Sequence, residues 1–218
     1  MQRHAKESTQ RFWSGRQACG DESGFLLPEF MICSLILLLL AGAVFSMLAQ
    51  IQRSGSYQTE VQAVLENTRI AMDTVERIIR GAGNDPHNVG FPGVTIISAT
   101  EVRIRSDLTG SAAASGFPDK GDPDGDTEDT GEDVTVRYNS SSGTIEMVPN
   151  GGSAQPISSY ISGFQMQYMD ADGVATSVGA KVRRIRITIT GATNLADPQT
   201  GQVFSMQVAS DVQLATRL

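Results

Sequence analysis

Glu29 is an acid beside an apolar run. It directly precedes Phe30, and the residues from Phe30 to Ala49 carry no charge. As a helix that run is about 30 Å long, the thickness of a bilayer core. A carboxylate within hydrocarbon costs ~2.5–3.5 kcal/mol on insertion scales and is a functional-site candidate by default. Close to the membrane edge it can instead snorkel to the headgroups. Just upstream, Gly24 precedes Phe25. A secretory signal is cut after its apolar stretch. A cut between Gly24 and Phe25 comes before it, so the helix is kept and Phe25 gains a free amine. An amine of that kind on a neighbouring chain could neutralise Glu29.

A second group of acids could hold a metal. Asp122, Asp124 and Asp126 stand at the first, third and fifth places of an EF-hand-like loop, and Asp133 stands at the twelfth. Hard oxygen ligands at alternate positions can converge on one Ca²⁺. Thr127 replaces the turn glycine of that pattern, and Asp133 replaces the bidentate glutamate. The surrounding stretch, 106–133, is poor in large apolar residues. A dense run of like charge with Gly and Ser is equally the composition of a solvated, disordered loop. Both readings stand. Asp170-Ala171-Asp172-Gly173 repeats the pattern on a smaller scale and reads as a turn.

The elements that carry these residues follow from the pattern of charge and hydrophobicity. Within residues 1 to 20, Arg3, Lys6, Arg11 and Arg16 stand against the single acid Glu7, a net charge of +3. The positive-inside rule then keeps the N-terminus cytoplasmic and sends the body across the membrane. From Val61, the residues Val64, Leu65, Thr68, Met72, Val75 and Ile79 recur at steps of three and four, an amphipathic helix stripe. Gly81-Ala82-Gly83 stops it. Ser54-Gly55-Ser56 predicts a bend or loosened turn between the apolar and amphipathic halves. Beyond Gly83 the period changes to two. Strands are expected at Val94–Ser98 and Glu101–Arg105, around Val134–Tyr138, at Thr144–Val148, around Phe164–Tyr168 and Ile185–Ile189, and over Val203–Leu214 as one strand or two. One apolar face and one polar face predict an antiparallel sheet packed on the helix.

The stretch Gly24-Phe25-Leu26-Leu27-Pro28-Glu29 with the apolar helix after it resembles the class III signal of type IV pilins and of the pseudopilins of type II secretion. The resemblance implies cleavage after Gly24 by a prepilin peptidase and N-methylation of Phe25. It also implies that Glu29, at the fifth mature position, serves assembly, with the mature helix in a filament core. Pro28 stands where that family has an aliphatic residue. Proline in a helix loses a hydrogen bond to the carbonyl four residues back. Here that carbonyl is Gly24's, so Pro28 suits the cleaved chain.

Three later stretches resemble the PilW group of minor pilins, and next the J-type minor pseudopilins. They are Arg80-Gly81-Ala82-Gly83, the run Gly131 to Tyr138, and the run Phe164 to Gly173 before Val182 to Ile187. The implied architecture is α+β and pilin-like. It comprises a leader (1–24), a transmembrane or filament-core helix (25–54), an amphipathic half (55–83) and an antiparallel β domain (84–218). The implied partners are other minor and major pilins, the prepilin peptidase and an inner-membrane assembly platform. The implied role is to prime or cap the filament. The alternatives are a minor pseudopilin of a type II secretion system and, in another class, a signal-anchored extracytoplasmic binding domain.

An enzyme is not expected. The histidines are His4 and His87, and no phosphate loop, zinc spacing or nucleophile elbow is present in the sequence. With a net charge of −7 the chain lacks the basic surface of a general nucleic-acid binder. Lys181, Arg183, Arg184 and Arg186 read as a solvated strand edge. Cys19 and Cys33 both precede the body, which therefore has no disulfide framework.

Overall fold

A computed structural model describes residues 27–110 and 121–214. The leader with its expected cut at Gly24 and Phe25 lies outside the described residues, as does the stretch 111–120 of the acidic loop. Among the described residues the fold is α+β: one α-helix, α1 (Leu27–Arg80), then eight antiparallel strands. The strands are β1 (Val94–Ser98), β2 (Glu101–Arg105), β3 (Asp133–Asn139), β4 (Thr144–Pro149), β5 (Gln155–Ser158), β6 (Ile161–Met169), β7 (Arg184–Ala196) and β8 (Val203–Gln213). The chain divides into two compact units at Leu48/Ala49.

In the second unit, α1 buries Val64, Thr68, Ala71, Met72, Val75 and Ile79. These are the stripe positions, joined by Ala71, and each large apolar member stabilises by roughly 1.5–3 kcal/mol. Helical structure is unbroken through Ser54-Gly55-Ser56, so the loosened turn is absent. The hydroxyls there bond back along the helix, Ser56 Oγ to the Gln52 carbonyl (3.1 Å) and Thr59 Oγ1 to that of Gly55 (3.0 Å). These bonds satisfy the polar groups that made the segment look like a break.

The helix stops where the glycines predict. Gly83 has a φ of +72°, and its N–H donates to the Arg105 carbonyl at 2.8 Å. A Cβ on the facing Gly93 would stand 2.4 Å from Gly83 Cα, so this approach of two backbones requires glycine.

The strands form two sheets, not the one expected. The first has the order β1-β2-β3-β4-β5 and the second β6-β7-β8. Alternation is clean where it was read. Val102 and Ile104, Val136, Phe164, Met166 and Tyr168, and Ile185, Ile187 and Ile189 all point inward into one core shared with α1, and Val134 is also buried. The sheets meet at a seam. Met166 N–H donates to the Ala99 carbonyl (2.7 Å), Tyr168 Oη to Ser98 O (3.0 Å) and Tyr138 Oη to Ile161 O (3.1 Å). Burial at this seam pushes the Tyr168 phenol up, so it remains a donor.

Helix and sheet approach closely at Gly191 on β7. A Cβ there would lie 2.2 Å from Thr68 Oγ1 and 2.9 Å from Val64 Cγ1. Thr68 is itself fixed, with Oγ1 bonded to the Val64 carbonyl at 2.7 Å. Nearby, the Glu60 carboxylate accepts the backbone N–H groups of Asn194 and Leu195 at 2.8 and 2.9 Å. Gly191→Ala is expected to destabilise the protein by about 1–3 kcal/mol through overpacking. Chemical denaturation of the detergent-solubilised chain measures this, and an unchanged midpoint would show that α1 can move off β7.

Candidate functional site

Two places can do chemistry. The first is the start of α1. Pro28 and Glu29 lie in its first turn, where proline needs no donor and an acid complements the helix dipole. The residues that follow are apolar on every side and exposed, with Leu37 and Phe45 each 70% exposed. Among the described residues this is the one helix long and apolar enough to cross a membrane, and none of its apolar window is buried. That makes it a candidate membrane anchor or signal sequence. Its hydroxyls turn inward: Ser34 Oγ bonds the Met31 carbonyl (2.9 Å) and Ser46 Oγ that of Ala43 (2.8 Å).

The second place is the acidic loop. The described part, Gly121–Glu132, is tied down by acids that accept backbone N–H groups. Asp107 is fully buried, and its two oxygens accept the N–H groups of Asp124 (3.2 Å) and Gly125 (3.0 Å). Asn84 holds Asp107 in turn, through Asp107 N–H to Asn84 O (2.8 Å) and Asn84 Nδ2 to Asp107 O (2.6 Å). Glu132 is also buried. Its Oε1 accepts the N–H groups of Leu108 and Thr109, both at 2.7 Å. His87 Nε2 lies 2.8 Å from the Pro123 carbonyl, on the surface as expected. Asp107, Glu132 and Asn84 were not singled out from the sequence. The available signal was an acid at each end of the loop, flanking a stretch poor in large apolar residues.

The acids that converge are not the four reached by counting along the loop. Asp124, Asp126 and Asp129 bring one carboxylate oxygen each within 4.8 Å of one another. Asp122 is exposed and outside this group, and Asp133 is on β3. There Asp133 is paired with Arg103, whose Nε donates to Oδ1 at 2.6 Å and whose Nη2 meets Oδ2, and Arg105 Nε lies 3.7 Å away. The bond to Asp133 raises the Arg103 pKa further. The turn at Thr130–Gly131 and the pairing of Asp133 with Arg105 take the twelfth position out of the loop. One oxygen from each of three carboxylates supplies at most half of the six to eight that Ca²⁺ prefers, so backbone carbonyls and water would complete the shell. Asp170-Ala171-Asp172-Gly173 forms the expected turn. Asp170 Oδ1 accepts the N–H groups of Asp172 (3.0 Å) and Val174 (2.9 Å).

No protein-family model matches the chain, and no curated protein matches it.

Two measurements separate structural from ligand-binding acids. Asp107→Ala is expected to cost about 1–3 kcal/mol, since it leaves buried N–H groups without an acceptor; a variant as stable as the parent would deny Asp107 its anchoring role. A calcium ion on Asp124, Asp126 and Asp129 raises the Tm of the full chain in millimolar calcium relative to chelator, and Asp126→Asn reduces the rise. Identical melting curves with and without the ion remove calcium from the loop.

Proposed function

We propose that the chain is a minor pilin of a type IV pilus, a subunit that primes or caps the filament. The observation that carries this reading is the composition of α1: an acid in the first turn, then an exposed apolar surface, then a buried stripe under a β body, all in one helix. An apolar helix surface can be covered by lipid and then, on assembly, by the same surface of neighbouring subunits. The cost of Glu29 in hydrocarbon falls when a neighbour's Phe25 amine meets it. The chemistry of assembly is therefore a transfer from one low-dielectric environment to another, with one charge pair setting axial register.

Under this reading the prepilin peptidase cuts after Gly24 and Phe25 is N-methylated. The precursor sits in the inner membrane with its N-terminus cytoplasmic and its body periplasmic. An assembly platform then moves it into a filament with other minor and major pilins. The body contributes surface rather than catalysis.

Mass spectrometry of the membrane-extracted protein tests the first half. The expected N-terminus is N-methyl-Phe25, and a retained Met1–Gly24 would falsify the pilin reading. Glu29→Ala tests the second half. The variant is expected in the membrane at parental levels and at least about tenfold depleted from sheared filaments, since ~1.4 kcal/mol already corresponds to a factor of ten. Parental incorporation would leave Glu29 without a role in register.

A further inference from the structure

The two sheets have four edges, and three of them are blunted. β1 has five residues and a bulge between Ile96 and Ser98. The short 3₁₀ turn Gly179–Lys181 lies against it, so close that a Cβ on Gly179 would meet Val94 O at 2.2 Å. β5 has four residues and contains Pro156, which has no N–H to offer. The outer groups of β6 are engaged: Met166 N–H bonds Ala99 O, and Tyr168 O accepts the Thr176 N–H at 2.9 Å.

The fourth edge is different. β8 runs for 11 residues without proline, glycine, lysine or arginine. Its one charge, Asp211, is paired with Arg186 at 2.7 and 2.9 Å. Natural sheets protect an exposed edge with charges, prolines, bulges, short length or a covering segment. The other three edges each show one or more of these devices; β8 has no proline, its single charge is paired, and no described residue covers it.

The direction of its backbone groups can be fixed. Phe204 N–H donates to Thr193 Oγ1 (3.0 Å) and Leu214 N–H to Arg183 O (3.0 Å), both towards β7. Groups alternate along a strand, so the N–H and C=O of Ser205, Gln207, Ala209 and Asp211 face outward. None of them bonds a described residue. On the core face, Phe204, Met206 and Val208 are only half buried.

We propose that the outer edge of β8 is a docking rail for an extended segment of a different protein, which adds to β6-β7-β8 as a further strand. A row of outward N–H and C=O groups at two-residue spacing is matched by another extended backbone. Val203 to Ser210 carry no charge in a chain of net charge −7, so the fitting segment is uncharged. Alternating apolar residues on it would continue the row Phe204, Met206, Val208 over the core, with small polar residues on the other side. A second copy fits less well. Antiparallel self-pairing across this edge uses a two-fold axis normal to the sheet, which reverses the α1 segment Ala49–Arg80 in the second copy. Chains anchored through the same helix in one membrane run the same way. That choice of occupant rests on the anchoring proposed above; the rail itself does not.

The probe is the synthetic peptide Lys-Thr-Val-Thr-Val-Thr-Val-Thr-Lys, and the readout is amide hydrogen exchange by NMR on the full chain in detergent micelles. At millimolar peptide the amides of Ser205, Gln207 and Ala209 are expected to slow by about tenfold or more, while those of Phe204 and Met206 are already slow. Gln207→Pro removes one outward N–H and leaves the β7 ladder intact, so it is expected to fold and to lose the protection; Gln207→Thr keeps it. Ala209→Pro serves the same purpose should Gln207→Pro fail to fold. Unchanged exchange at Ser205, Gln207 and Ala209 with peptide present overturns the proposal. Slowing that tracks protein concentration without peptide assigns the edge to a second copy and overturns this occupant. Protected amides in a chain that retains Met1 would sink the filament reading and leave the rail standing.

Discussion

Thr68 and Gly191 set the spacing of the body. The Thr68 hydroxyl occupies the space that a side chain at position 191 would need, and its bond to the Val64 carbonyl keeps it there. Because α1 comes this near to β7, Ile185, Ile187 and Ile189 can share one core with Val75 and Ile79. The same approach lets Glu60 reach the backbone of Asn194 and Leu195 where the β7–β8 register slips between Ala192 and Ala196. A wider gap would leave voids under the inner face of the second sheet, and interiors tolerate few voids.

Carboxylates do much of the work that apolar anchors do elsewhere. Asp107, Glu132 and Glu60 each take two backbone N–H groups. Bonds to ionised acceptors are roughly twice as strong as neutral ones. An acidic composition and an ordered loop are therefore compatible. Glu146, largely buried and bonded to Asn139 and Arg137, and Asp211, exposed and bonded to Arg186, hold their pKa values below the ordinary carboxylate range.

The elements were legible where a single physical signal dominated. Period-two alternation located β1, β2, β6 and the centre of β7 because each buries one face. The stripe from Val64 to Ile79 was legible for the same reason. Ser54-Gly55-Ser56 misled because composition registers a break, whereas hydroxyl back-bonding is a local geometry. β5 was missed since Gln155–Ser158 is too short and too polar to show a period. The division into two sheets depends on the seam at Ser98, Ala99 and Met166, contacts between residues far apart in sequence. Asp133 was misassigned because a ligand count along the chain cannot see Arg103 and Arg105 on the neighbouring strand. At the N-terminus the structure places Glu29 in the first turn of α1, and what a carboxylate there would meet on another chain is not a property of one chain's fold.

The inward-turned hydroxyls of Ser34 and Ser46 have a consequence for recognition. A helix whose polar side chains are satisfied by its own carbonyls offers its surroundings shape and no bonding direction. Between Phe30 and Ala49 a neighbour is therefore chosen by steric fit alone. That stretch is a smooth key blank, and the tooth cut beside it is the carboxylate in the first turn.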